Sequence, residues 1–341
     1  MIIASGIRKV TVQTKGSINA CFFRNGSVKR YSNACYSHID PEALLCYYSS
    51  IFGAGCDARE SKARFFHMGL RKDGEMAWEH MVVLIRGGGE IASGVAHRLV
   101  TCHFKVCMTE VAHPLAVRRE VSFSEAVYEG EKTVEGLTAK FIASFDRIAE
   151  LWNASMIPIM VDAEATVKAY LKPTVLVDAI LAKRNVGTRI TDAPLVIGLG
   201  PGFHAGRDVH LVVETKRGHD LGRLISKGEA EANTGIPGDI AGFSVERVLR
   251  SSAAGKLKTL KGIGDYVDAG DTVALVGDAP IKAQIKGVIR GLLRDGSEVY
   301  EGMKTGDVDP RGIKEFCYSL SDKVRAIGGG VLEGIVSYLN Q

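Results

Sequence analysis

Two side chains at the end of one apolar run have the types needed for acid–base chemistry. Glu214 closes the run Val209–Glu214 and His219 follows it, with Lys216 and Arg217 between them. A carboxylate and an imidazole within reach of one substrate can pass a proton, and a nearby guanidinium suits a phosphate or carboxylate. Just upstream, Gly198, Gly200 and Gly202 alternate through the stretch Leu195–Phe203, a backbone that can approach a ligand without a Cβ in the way. Asn233 and Thr234 follow shortly after. We read Glu214 and His219 as candidate catalytic residues, and the three glycines with Arg217, Asn233 and Thr234 as candidate ligand contacts.

A second glycine-rich loop lies earlier. The apolar run Met81–Ile85 enters Arg86, then Gly87, Gly88 and Gly89, then a segment that reads as a helix start. Gly87-x-Gly89-x-x-Ala92 fits the G-x-G-x-x-G/A turn of dinucleotide-binding units, in which the helix N-terminus offers free N–H groups to an anion. Glu110 ends the next strand about 20 residues on, where a ribose-binding acid is expected. Arg118 and Arg119 come after that strand, on the side where open α/β sheets bind ligands. Arg86 either pairs with an anion or is solvated.

The elements that must position these residues change along the chain. From 81 to about 165, strand and helix alternate: strands at Met81–Ile85, Val106–Glu110 and Pro158–Val161, helices at Ala92–Thr101, Ser122–Tyr128 and Phe145–Trp152. Such alternation implies a parallel sheet covered by helices. From 166 to 308 strands dominate, punctuated by glycines. From 309 the spacing turns helical, with Gly328–Gly330 expected to break the last helix. We therefore expect an α/β protein with a Rossmann-like parallel-sheet domain (81–165), a β-rich domain (166–308) and C-terminal helices (309–341). Within the β-rich part, 245–308 is similar to the half-hairpins of biotinyl/lipoyl domains. The lysine of those carriers lies between the halves, near Val276–Pro280 here, and no lysine is there. Lys304, in Glu301-Gly-Met-Lys-Thr305, comes after the second half.

Residues 1–80 stand apart. They hold 11 basic and 7 acidic residues against 32 of each in the remainder, and four of the seven cysteines, Cys21, Cys35, Cys46 and Cys56. Strands are expected at Lys9–Gln13 and Ala20–Arg24 and a helix at Pro41–Ile51. The segment reads as an extension, a degenerate remnant, or sequence upstream of a start at Met76 or Met81. No C-x-x-C pair supports a zinc ribbon, and we expect no metal. The balanced charge of the body gives no electrostatic case for nucleic acid. No apolar run reaches the length of a membrane span and no secretory signal is evident, so a cytoplasmic location is expected. No G-x-S-x-G marks a hydrolase.

Several stretches together resemble one family: RGGGEIASGVAHRL, HPLAVRREVSFSEAVYEG, GLGPGFHAGRDVH, ETKRGHDLGR, NTGIPG, GDVDPRG and SDKVRAIGGGVLEGI. They are similar, in order and over about 81–341, to the YqeB family of selenium-dependent molybdenum hydroxylase system proteins. The resemblance implies an accessory role in maturing molybdenum hydroxylases of the xanthine dehydrogenase type. Its implied partners are a hydroxylase subunit or other cofactor-maturation proteins. It implies no catalytic residues. Glu90 stands where Asp is expected in that family. The candidate ligand is a molybdopterin-type cofactor or a dinucleotide, held by Gly87, Gly88, Gly89, Glu110, Arg118 and Arg119 together with the later contacts. The alternatives are an NAD(P)-dependent oxidoreductase, resting on Glu110, and a non-catalytic docking scaffold.

Overall fold

The computed structural model describes residues 81–340 and, before them, three strands. The chain divides into two compact units, Met1–Ala77 and Trp78–Gln341. In the first, β1 (Ile7–Thr14), β2 (Ser17–Arg24) and β3 (Ser27–Val28) form an antiparallel sheet in that order. The two expected strands are both present and longer than expected. The expected helix at 41–51 lies outside the described residues.

The second unit is built on a sheet of nine strands. These are β4 (Val82–Arg86), β5 (Lys105–Glu110), β6 (Glu131–Val134), β7 (Leu137–Phe141), β8 (Ile157–Val161), β9 (Val175–Asp178), β10 (Leu195–Leu199), β12 (Leu211–Val213) and β13 (Leu224–Ile225). Their spatial order is β13-β12-β10-β9-β4-β5-β8-β7-β6. The seven inner strands are parallel, and β6 and β13 pair antiparallel at the two edges. Continuous apolar runs such as Val175–Val177 and Leu195–Ile197 are buried on both faces, as a covered parallel sheet requires. A small pair, β11 (His204–Ala205) with β14 (Gly228–Glu229), lies beside it.

The sheet does not stop at residue 165. After β8 the chain returns to the other side of β4 and lays down β9, in register Val83 to Val175 and Arg86 to Asp178. The segment 166–225 thus completes the α/β sheet instead of opening a β-rich domain. Between β4 and β9 the strand order reverses, the position at which open α/β sheets carry a crevice at the strand carboxyl ends.

Five helices accompany these strands: α1 (Glu90–Thr101), α2 (Ala126–Glu129), α3 (Ile148–Asn153), α4 (Lys168–Leu171) and α5 (Asp322–Leu339). The expected Gly312–Leu320 helix reduces to a 3-10 turn at Lys314–Cys317. Gly328–Gly330 do not break α5. A Cβ on Gly330 would collide with the carbonyl of Gly222, and one on Gly94 of α1 would collide with Val324, so the glycines let α5 pack tightly on α1 and the sheet edge. That close contact offsets the intrinsic helix cost of glycine.

The strand-rich remainder forms two four-stranded sheets. One has the order β15 (Val248–Arg250), β22 (Lys304–Asp309), β20 (Gly287–Leu292), β17 (Tyr266–Val267); the other β19 (Ala279–Lys282), β18 (Thr272–Val276), β16 (Gly255–Thr259), β21 (Glu298–Val299). Leu249, Ile289 and Val308 of the first share a core with Leu257, Val273 and Ile281 of the second.

Candidate functional site

The first glycine loop folds under constraints of its own backbone. Gly87 has φ +101°, and a Cβ there would sit 3.0 Å from the carbonyl oxygen of Ala179, just after β9. Its N–H donates to Thr109 O at 2.7 Å. Gly88 N–H donates to Glu110 Oε2 at 2.7 Å, and Val111 N–H to Glu110 Oε1 at 2.8 Å. Glu110 therefore staples the loop to the end of β5. Burial raises its pKa, opposed by these two N–H bonds. Gly89, the residue before α1, has open space where a Cβ would go. The N-terminus of α1 has no side-chain cap.

Ser124 lies against this loop. Its N–H donates to Gly88 O at 2.8 Å, but its hydroxyl, in a residue 1 % exposed, has no partner among the described residues. Nearby Ser93 is satisfied, since its hydroxyl donates to Gly88 O and accepts from Phe123 N–H. Arg86 is neither solvated nor open to a ligand. It is buried, 3.5 Å from Asp178, and donates to Thr188 Oγ1 and to the carbonyls of Ala163 and Val186.

The second glycine element serves packing. A Cβ on Gly198 would strike the Phe203 ring at 2.6 Å, and one on Gly202 (φ +107°) the Arg184 backbone at 2.6 Å. Gly200 (φ +76°) abuts Thr215 in the same way. Glu214 is buried and accepts three backbone N–H bonds at 2.7 Å, from Thr215, Lys216 and Glu231. His219 is exposed and stands apart from the cavity described next. No hydrogen bond joins Glu214 to His219 among the described residues, and the Glu214 carboxylate is engaged by backbone N–H groups at the turn after β12 and at Glu231.

Seven of the other expected contacts do converge. Gly87, Gly89, Glu110, Arg118, Arg217, Asn233 and Thr234 line one cavity of about 1020 Å³. It spans the carboxyl ends of β4 and β9, the segment 231–238, and the β15/β20/β22 face of the strand-rich part. Arg217 pairs with Asp322 at 2.7 and 3.0 Å. Arg118, 6 % exposed, donates to Glu90 at 3.2 Å and to the carbonyls of Phe316 and Ser319, while its Nε is buried without a partner among the described residues. Arg119 points elsewhere, donating to Leu292 O.

The far wall holds residues the motifs did not mark: Arg247, Arg290, Lys304 and Asp307, with Lys323 from α5. Asp307 accepts from Arg247 and from Arg290, the latter at 2.7 Å. Burial pushes the Lys304 amine below its usual range, with Arg247 and Arg290 adding to the effect and Asp307 opposing it. Its side chain is 44 % exposed, so water in the cavity tempers that shift. In all, nine basic and four acidic residues line the cavity, an excess suited to an anion. Among the described residues no group of acidic, histidine and cysteine side chains is placed to hold a metal ion, and no helix is long and apolar enough to cross a membrane.

No protein-family model matches the chain. Over 262 residues it is 50 % identical to the uncharacterized protein YqeB of Escherichia coli K12, which supports the YqeB resemblance. The match takes in 77 % of this chain and 48 % of YqeB, so the chain spans about half the length of that relative. Among solved structures, TcdA (CsdL) is similar at a TM-score of 0.29 and 10 % identity, over 78 % of this chain and 90 % of that one. An aspartoacylase family protein from Mesorhizobium loti is similar at 0.21 and 13 %, over 62 % and 58 %. Likenesses this slight carry no argument about chemistry.

Proposed function

We propose that the cavity at the carboxyl ends of β4 and β9 binds a phosphate-bearing ligand. The observation that carries this reading is the Ser124 hydroxyl, buried without a partner beside Gly88 at the cavity wall. A buried hydroxyl left unpaired is costly, and here it accompanies an uncapped helix N-terminus, a natural phosphate position. The unpartnered Nε of Arg118 adds a charged donor of the kind that holds phosphate.

In the setting of the YqeB resemblance, the ligand is the molybdenum cofactor or its nucleotide form, and the protein is a cytoplasmic accessory factor for a selenium-dependent molybdenum hydroxylase. Its partners would be that hydroxylase or other maturation proteins. The biotinyl/lipoyl-like strands act in this reading as a wall of the cavity, with Lys304 facing the ligand and carrying no prosthetic group. The oxidoreductase alternative gains nothing, because Glu110, on which it rests, is engaged by two backbone N–H groups.

The test is mass spectrometry of small molecules retained by the purified full chain, followed by titration with the species found and with inorganic phosphate. A retained phosphate ester, bound about tenfold more weakly by Ser124→Val, is expected from the loss of one hydrogen bond to a charged group. A folded protein that retains no phosphate ester and binds no phosphate would overturn the reading.

A further inference from the structure

The cations around the glycine loop outnumber the carboxylates left to them. Asp307 is taken by Arg247 and Arg290, and Asp322 by Arg217. Two carboxylates remain at that end: Glu110, held by the N–H groups of Gly88 and Val111, and Glu90, first residue of α1 and next to Gly89. Glu90 accepts from Arg118 Nη1 at 3.2 Å and from Ser321 Oγ at 3.2 Å. Lys304 and Lys323 line the same cavity as Glu90. Three cations from three segments, the loop after β5, the start of β22 and the start of α5, thus face one cavity with that carboxylate, and Arg118 bonds to it. Lys323 has no ion-pair partner among the described residues, and Lys304 only a 4.0 Å contact with Asp307.

Such a group is unfavourable as it stands. Burial and the neighbouring Arg217 hold the Lys323 amine below its usual range, as burial and two arginines do for Lys304. A second anionic group would relieve both. Arg118 and the start of α5 meet at Glu90, the residue after Gly89, so that anion would lie directly beside the phosphate at the loop, not at the far end of a long molecule.

We infer that the cavity takes a pyrophosphate ester, with one phosphate at Gly89 and Ser124 and the adjoining phosphate between Arg118, Lys304 and Lys323. This rests on the phosphate-binding reading above and narrows its ligand to pyrophosphate-linked species such as dinucleotides. It also gives Glu90 a part: its charge keeps the three cations together when no ligand is bound, and opposes any ligand too rich in charge.

The experiment is calorimetric titration of the full chain with inorganic phosphate and with inorganic pyrophosphate, free of divalent cations. Pyrophosphate is expected to bind at least about 100-fold more tightly, since each added charge-assisted contact contributes about tenfold. Lys304→Met and Lys323→Met should each lower the pyrophosphate-to-phosphate preference about tenfold, and Lys304→Arg should keep it. Circular dichroism verifies that each variant is folded. Phosphate binding without a preference for pyrophosphate, or a preference unmoved by the double Lys304→Met, Lys323→Met variant, overturns this inference and leaves the phosphate site standing. Binding of neither anion overturns both.

Discussion

Removing the charge of Asp307 should unsettle the whole far wall of the cavity. Its side chain is 2 % exposed, and those of Arg247 and Arg290 are 7 % and 10 % exposed. In Asp307→Asn both guanidiniums keep an oxygen nearby but lose the counter-charge, while Asp309, the other local carboxylate, is already shared by Arg290 and Arg311. Breaking a buried ion pair from one side costs about 3–5 kcal/mol. Both arginines border the cavity and reach its water, so the lower end, about 3 kcal/mol, applies. That is a factor of about 150 in the folding equilibrium. With a urea dependence of about 3 kcal/mol per molar, the midpoint of unfolding followed by far-UV circular dichroism should fall by about 1 M. Replacing the cluster by apolar side chains, Asp307→Leu with Arg247→Met and Arg290→Met, should recover most of the loss, because it abolishes the buried charges altogether. A loss below about 1 kcal/mol in Asp307→Asn, the range of solvent-exposed pairs, would refute the view of this cluster as a desolvated network.

Three other expectations follow from the geometry. Glu214→Gln weakens three charge-assisted backbone hydrogen bonds and should lower stability by about 2 kcal/mol in thermal melts, while phosphate affinity measured well below the melting temperature stays within twofold; a large loss of affinity at unchanged stability would restore a direct chemical role. Gly202→Ala meets both a φ of +107° and the Arg184 backbone, and should cost about 2–3 kcal/mol by denaturant titration, against about 1 kcal/mol for Gly206→Ala, which has a φ of +85° but open space for a Cβ; equal losses at the two glycines would assign the cost to φ alone. Arg217 holds the Asp322 carboxyl down at about 2, against an ordinary 3.8, so the pair stabilises the fold above about pH 4 and that contribution is lost as the pH falls toward 2. Asp322 is 73 % exposed, which limits the effect to under about 1 kcal/mol. Asp322→Asn should therefore differ slightly from the parent at pH 6 and match it at pH 2 in urea titrations.

What could be read before the fold was known was local. The order strand, Gly87–Gly89, helix, Glu110 lies within one βαβ unit, and the structure has that order. The position of Glu110 could be read from spacing, but its partner, Gly88 N–H, could not. The reversal that sets β9 beside β4 leaves no local trace, because strands at 175–178 and 195–199 look alike whether they extend one sheet or begin another. Ser124 and Lys323 lie within the family-like stretches without standing out there, and Lys304 lies outside them; each is made significant by neighbours far away in the chain, and only the fold supplies those. Lys304 drew attention as part of a Met-Lys turn, which concerns a different chemistry. Gly328–Gly330 read as a helix break because glycine is a poor helix former, whereas Gly198, Gly200 and Gly202 read as ligand contacts for another reason. A glycine needed for close packing against protein cannot be told by sequence from one needed for a ligand.

The packing of α5 on α1 bears on how the protein is made. The helix that covers Gly94 is synthesised long after α1 and the sheet beneath it, with the whole strand-rich segment emerging from the ribosome in between. Until then Gly94, Arg98 and their neighbours on that face have no cover. The nascent chain thus carries a sticky, half-finished surface while the segment between α1 and α5 is made, and the cavity, which takes Lys323 from α5, can acquire affinity only once synthesis has passed it. Newly made chains would be most dependent on chaperones, and most easily lost to aggregation, during that interval.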